Sequence, residues 1–263
     1  MMSEFEELRS IMKRLRSECP WDREQDLSSL RRYLIEEAYE CLESMNLYIE
    51  NKNEATYLHL KEELGDVLLQ VLFQAKLLEE ESKTDALSEL CRELKDKLIR
   101  RHPHIFEGSS TLSAEAVHQQ WNKIKAAEKP KQSSLLGEVP KAMTALMRAQ
   151  KIGNKTHKVK FDWETIDQVA SQVESEWKEL KNAKSEEERE EEFGDLMFSM
   201  VQWARHQGMD AETTLAKANQ KFEGRFFEME RIAKASNQEF ESLTLDEKEK
   251  LWQAAKLNLK KKA

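Results

Sequence analysis

Glu190-Glu191-Glu192-Phe193-Gly194-Asp195, preceded by Glu176-Trp177-Lys178-Glu179, repeats two motifs of an earlier pair, with ten fewer residues between them. That earlier pair is Glu36-Glu37-Ala38-Tyr39-Glu40 followed by Glu62-Glu63-Leu64-Gly65-Asp66. Each half of the chain thus carries an E-x-x-E and then an E-x-x-D. Residues three apart lie on one helix face. Two such helices packed together bring four carboxylates to one place. Four hard oxygen ligands at close quarters repel one another unless a hard cation sits between them, and Mg²⁺ is the expected ion.

Among 50 acidic residues, a lone E-x-x-E reports only a solvated helix face. The neighbours change this. At about 100° per residue, Leu64, Val67, Leu68, Val71, Leu72, Ala75 and Leu78 form one broad apolar face. Leu69 and Phe73 form a second strip nearly opposite, with Glu63, Asp66, Gln70 and Gln74 between. The second half has the same layout. Phe193, Leu196, Met197, Met200, Val201, Trp203 and Ala204 make the broad face, Phe198 lies across from it, and Glu192, Asp195 and Ser199 fill the seam. A carboxylate between two apolar strips is costly to bury unless paired or metal-bound. The partner helices place Glu37, Glu40, Glu176 and Glu179 at the edges of their own apolar faces. Gly65 and Gly194 each precede the aspartate, and glycine inside a helix costs about 1 kcal/mol relative to alanine. Close packing or room for a ligand would offset that cost.

Composition points to an all-α protein. Glycine and proline number only 7 and 4 in 263 residues, which leaves little material for hairpin turns. A net charge of −8 disfavours a duplex-DNA partner. Cys19, Cys41 and Cys91 form no C-x-x-C pair and fit a reducing cytoplasm. The acidic start has no apolar signal-peptide region, and the greasiest run, 67–78, is broken by Gln70, Gln74 and Lys76. Neither a membrane nor a nucleic acid is an expected partner.

The expected organisation is two helical-bundle lobes joined by a helical connector: 1–106, 107–160 and 161–263. Cys19-Pro20-Trp21-Asp22 reads as an ordered loop or cap. A polar loop spans about 50–56, and a third helix runs from about 84 to 101 and stops at His102-Pro103. His102 and His104 suit capping or loop hydrogen bonds. In the connector, Gly108-Ser109-Ser110 and 129–134 are the loosest parts, with helices at 114–128 and, behind Pro140, at 141–151. The second lobe opens at Phe161-Asp162-Trp163. Its acidic helices precede long helices at about 211–234 and 245–260. Lys97 and Arg101, and correspondingly Lys221 and Arg225, lie four apart on one helix face and could contact phosphate oxygens.

These residues resemble the MazG family of nucleoside triphosphate pyrophosphohydrolases. The markers are Cys19-Pro20-Trp21-Asp22, the doubled acidic motif, Arg100-Arg101-His102-Pro103-His104 and Phe161-Asp162-Trp163. The likeness covers nearly the whole chain and implies two tandem MazG-like lobes. It also implies Mg²⁺-dependent hydrolysis of an NTP to NMP and pyrophosphate, in a homodimer with broad base tolerance. By this resemblance Glu176, Glu179, Glu192 and Asp195 are metal ligands, and Lys221 and Arg225 hold the triphosphate. Trp252 and Lys256 complete the nucleotide pocket. In the first lobe Glu37, Glu40, Glu63 and Asp66 match the metal motif, and Lys97 and Arg101 match the basic pair. Lobe two has Ser175-Glu176 where lobe one has Glu36-Glu37, which leaves the number of bound ions open.

The implied mechanism is in-line attack of water on the α-phosphorus, with Glu191 the candidate proton acceptor, Glu192 a catalytic metal ligand, and Lys221 and Arg225 offsetting the developing charge. Trp252 would stack on any base or anchor the last helix. Lobe two is the expected competent site, because the C-terminal helix can bring Trp252 and Lys256 to it. Alternatives are a narrower hydrolase of dUTP, phosphoribosyl-ATP or an alarmone, and a non-catalytic helical interaction module. A di-iron bundle needs E-x-x-H on two helices, and the one such spacing here, Glu115 to His118, falls outside the acidic motifs. There is no P-loop signature.

Overall fold

A computed structural model describes residues 4–108, 112–128 and 134–260. Among these residues there are twelve α-helices, two short 3₁₀ segments and no strand, so the all-α expectation holds. None of these helices is long and apolar enough to cross a membrane. The chain divides into two compact units, Met1–Lys129 and Pro130–Ala263.

The first unit contains α1 (Glu4–Glu18), α2 (Pro20–Glu24), α3 (Leu27–Glu50), α4 (Glu54–Ser82), α5 (Ala86–Arg101), α6 (Pro103–Phe106) and α7 (Ala114–Glu128). Polar side chains cap the long helices. The Asp26 carboxylate accepts from the Ser29 amide at 2.7 Å, Asn53 Oδ1 from Thr56 at 3.0 Å, and Asp85 from Ser88 at 3.1 Å. Such caps satisfy amides that the first helical turn leaves without partners. Met12, Leu30, Phe73 and Leu77 form the core between α1, α3 and α4, with Leu15 and Tyr33 against it. Leu87 of α5 closes on Leu72 and Ala75. α7 packs on α5.

In the second unit, α8 (Ala145–His157), α9 (Ile166–Asn182), α10 (Glu186–His206), α11 (Ala211–Ala235) and α12 (Leu245–Lys260) follow in order. α9 pairs with α10 as α3 pairs with α4, and α12 packs on α11 as α7 packs on α5. Thr165, Ser185 and Asp210 cap α9, α10 and α11. α8 approaches α10 closely at Gly153, where an added Cβ would stand 1.9 Å from Gln202 Oε1 and 2.6 Å from Arg205 Nε. The buried Gln202 amide donates to the Ala149 carbonyl at 3.0 Å and ties the same two helices.

Several local expectations shift. Cys19-Pro20-Trp21-Asp22 is not a loop, since Pro20 opens the short helix α2. The loop before α4 shrinks to 51–53, because Asn53 supplies its cap. The helix behind Pro140 starts at Ala145 and runs on to His157. The piece 114–128 is helical as expected and belongs to the first unit, whereas α8 belongs to the second. Residues 109–110 and 129–133 of the two loosest stretches lie outside the described residues.

The packing of α4 also differs from the pattern read along it. Glu63 and Gln70 of the seam are buried, at 8% and 6% exposed, as is Phe73 of the second strip at 3%. The broad apolar face splits, with Leu72 and Ala75 buried and Leu64, Leu68, Val71 and Leu78 exposed. On α10, Ser199 and Gln202 are buried together with Leu196 and Val201 of the broad face, while Phe193, Met197 and Met200 are exposed.

Candidate metal and phosphate site

In the first unit α3 and α4 bring one carboxylate oxygen each from Glu37, Glu63 and Asp66 within 4.8 Å of one another. Glu63 is nearly buried, and its Oε2 has no hydrogen-bond partner. Its Oε1 lies 3.5 Å from His59 Nδ1. Burial, and then the charges of Asp66, Glu40, Glu63 and Glu36, push the Glu37 carboxyl above its ordinary value. Glu40 itself is exposed and outside the cluster.

The second unit has the same construction on α9 and α10. Oxygens of Glu176, Glu179 and Glu192 lie within 4.8 Å of one another. Burial comes first, and then the charges of Glu179, Glu176, Asp195 and Glu191, in raising the Glu192 carboxyl. Asp195 and Glu191 are exposed and outside the cluster. Each unit therefore gathers three of the four expected carboxylates, and the fourth acts on them through its charge. Two side chains one turn upstream aim the α9 carboxylates. Gln172 Nε2 donates to Glu176 Oε1 at 2.6 Å, and the Ser175 hydroxyl donates to Glu179 Oε1 at 2.9 Å. Ser175 is the residue that replaces the extra glutamate of the first unit, and here it orients the Glu179 carboxylate.

The donor set suits a hard divalent cation. It is all carboxylate oxygen, it is crowded enough to disfavour ionisation, and it contains a buried oxygen with no partner. Gly65 and Gly194 beside the clusters have nothing within 4 Å of where a Cβ would stand. Close helix packing does not account for them, and open space remains at both.

The basic residues fall into two environments. Arg225 of α11 is half-buried, with its guanidinium over the Trp252 ring of α12 at 5.4 Å, and Phe222 meets the same ring at 5.1 Å. Lys221 is exposed, and Lys256 lies one turn beyond Trp252. In the first unit Arg101 lies over Trp121 of α7 at 5.2 Å. Its Nη2 and Nε stand 2.5 Å and 2.9 Å from one oxygen of Glu128, while Arg100 Nε stands 2.6 Å from the other. Lys97 is exposed. His102 places Nδ1 2.6 Å from the Leu98 carbonyl and rests against Trp121, the capping role expected of it.

Sequence reasoning missed α7 as the counterpart of α12. The signal was present: Trp121-x-x-x-Lys125 matches Trp252-x-x-x-Lys256. Gln172 and Ser175 were missed as orienting residues, since a hydrogen bond within one helix turn leaves no distinctive spacing.

A model of the MazG nucleotide pyrophosphohydrolase domain matches residues 25–106, which contain the first acidic cluster. A nucleoside triphosphate pyrophosphohydrolase/pyrophosphatase of Thermotoga maritima is 44% identical over 255 residues, covering 96% of this chain and 95% of its own. A nucleoside triphosphate pyrophosphohydrolase of Escherichia coli is 39% identical over 265 residues, covering 97% and 98%. An uncharacterized protein of Bacillus subtilis is 39% identical over 260 residues, which make up 52% of its length. With paired carboxylate clusters on helix hairpins and likeness along nearly its full length to such relatives, the chain belongs to the MazG nucleotide pyrophosphohydrolase family.

Proposed function

We propose that the chain hydrolyses nucleoside triphosphates to nucleoside monophosphate and pyrophosphate, chiefly at the second unit. The carrying observation is the Glu176–Glu179–Glu192 cluster, in a unit that also holds Arg225 over Trp252. Names of the Thermotoga and Escherichia relatives support the substrate class.

Glu176, Glu179, Glu192 and Asp195 would hold Mg²⁺. When bound, the ion supplies charge neutralisation at the phosphate oxygens and makes a bound water more acidic. Gln172 and Ser175 keep Glu176 and Glu179 aimed at one point, so little reorganisation is needed when substrate arrives. Exposed Glu191, next to the ligand Glu192, accepts the proton of the water that attacks the α-phosphorus. Lys221 and Arg225 bind the polyphosphate and offset its growing charge, and the leaving group is pyrophosphate. Trp252 offers a face to any base, and Lys256 extends the positive side of the pocket.

The second unit is favoured because Arg225 has no carboxylate partner among the described residues, whereas Arg101 is held by Glu128. Glu37, Glu40, Glu63, Asp66, Lys97 and Arg101 form the corresponding site of the first unit, so the chain carries the site in tandem. Exposed Leu34, Leu42, Leu64, Leu68 and Val71 in unit one, and Trp177, Phe193, Met197 and Met200 in unit two, support a homodimer. The unpaired cysteines support a cytoplasmic setting.

A panel of NTPs and dNTPs assayed with and without Mg²⁺ tests the activity. NMP and pyrophosphate in equal amounts, with Mg²⁺ only, is the expected outcome. Release of orthophosphate instead, or no release, overturns it.

A further inference from the structure

Outside the carboxylate clusters, a compact charged arrangement stands where α5 ends against α7. Arg100 and Arg101 both grip Glu128, each through its own carboxylate oxygen, and the carboxylate is half-buried, with 16% of its side chain exposed. Trp121 lies beneath the Arg101 guanidinium, and His102 abuts the ring edge. A planar pair of guanidinium groups converging on two oxygens is the geometry that also suits a phosphate.

Comparison with the second unit isolates what is unusual. Arg101 over Trp121 corresponds to Arg225 over Trp252, at nearly the same separation. Arg100 corresponds to Gly224. Glu128, seven residues after Trp121, corresponds to Leu259, seven after Trp252. The first unit thus has one added arginine and one added glutamate, and they bind each other. α5, which ends in Arg100 and Arg101, packs on α4, the helix that carries Glu63 and Asp66, with Leu87 against Leu72 and Ala75.

We propose that Glu128 is a tethered stand-in for a phosphate group: its carboxylate occupies the Arg100–Arg101 pair that takes the polyphosphate of a nucleotide in the first unit, and binding there requires its displacement. The inference rests on the chain being a polyphosphate-binding enzyme and adds a built-in competitor to one of its two sites. Both arginines hold Glu128 well below the usual carboxylate range, at about 2, so it stays charged at any pH at which a nucleotide would bind. Displacement exchanges one charge-assisted fork for another, and a triphosphate brings more charge than a single carboxylate. The latch therefore raises the concentration of substrate needed by the first unit without closing it. The second unit, with Leu259, has no equivalent.

Inorganic tripolyphosphate is the probe, since it needs neither base recognition nor turnover. The full chain carries Arg225→Ala, so that binding reports the first unit. In that background Glu128→Gln is expected to tighten tripolyphosphate about tenfold by calorimetry in Mg²⁺, as removal of a charge-assisted contact permits. Adding Arg101→Ala should abolish the gain. Unchanged or weaker binding by Glu128→Gln, with unchanged melting temperature, overturns the latch. If that variant loses helix by circular dichroism, the converse graft decides. Leu259→Glu in an Arg101→Ala chain should weaken tripolyphosphate binding at the second unit, and equal binding overturns the proposal. Failure of the wild-type chain to hydrolyse any NTP would defeat the proposed activity while leaving these binding comparisons able to judge the latch.

Discussion

Arg205 Nη2 stands 2.5 Å from Asp162 Oδ1, joining the end of α10 to the segment that leads into α9. His206 Nε2 lies 3.1 Å from the same oxygen, and His157 Nδ1 at the end of α8 lies 2.9 Å from the other. The backbone amide of Trp163 donates to Oδ1 at 3.0 Å. One carboxylate thus ties three segments, and it does so with only 5% of its side chain exposed.

That geometry predicts an acid-labile second unit. Burial alone would raise the Asp162 carboxyl, but Arg205, His206 and His157 overcome it and hold the group far below the ordinary range. A depressed folded-state pKa gives stability that is complete above the unfolded value, near 4, and lost as pH falls below it. Asp162→Asn removes the charge and leaves Arg205 buried without a counter-ion. It should cost about 3–5 kcal/mol at pH 7. The gap to wild type should narrow towards pH 3. Thermal melts at the two pH values check this, and a gap that widens in acid contradicts it.

Two glycines should respond in opposite ways to alanine. At Gly153 the new methyl would run into the buried Gln202 amide and the Arg205 guanidinium. Overpacking there should destabilise by about 1–3 kcal/mol. At Gly194 nothing stands within 4 Å of the added atom. Gly194→Ala should therefore stabilise the helix, by up to about 1 kcal/mol. If the vacant space serves substrate, its activity should nevertheless fall. Denaturant curves and initial rates on the two variants separate fold from function. A destabilised Gly194→Ala protein would show that the space is filled in solution.

Much of this was legible because charge and apolar period coincide on the same helices. The E-x-x-E and E-x-x-D spacings located the residues that cluster, and α12 falls at 245–260 as its periodicity indicates. What escaped depends on contacts between segments distant in sequence. No local pattern shows that Glu128 reaches back 27 residues to Arg101, or that Asp162 gathers Arg205 from 43 residues away. Likewise, the apolar strips of α4 have a period but no label saying which of their residues face the chain's own core. Phe73 turned inward because α1 and α3 supply Met12 and Leu30 against it.

Orientation of the clustered carboxylates gives a graded prediction. Glu192→Ala removes one of the clustered carboxylates and should lower pyrophosphate release about a hundredfold or more, whereas Gln172→Ala should lower Mg²⁺ affinity by about 10–100-fold with a smaller effect at saturating metal. Glu63→Ala, in the first unit, should leave most of the activity. Initial rates against Mg²⁺ concentration distinguish these cases. Loss of activity in Glu63→Ala with retention in Glu192→Ala would transfer the principal site to the first unit.

The exposed apolar side chains make the final prediction. On α4, Leu64, Leu68 and Val71 are 46%, 38% and 37% exposed, and on α10 Phe193, Met197 and Met200 are 53%, 40% and 55% exposed. Single exposed leucines are ordinary, but recurring faces on the helices that carry the carboxylates are not. A second copy covering them would bury apolar area at about 25 cal/mol per Å² and shield the carboxylate clusters from water. Leu68→Glu and Met197→Glu each place a charge in such a face without touching a ligand. Light scattering should find the wild-type chain at twice its 30.9 kDa mass. The double variant should shift towards one mass and lose activity while its helix content holds. A wild-type monomer of full activity would show that these faces need no cover.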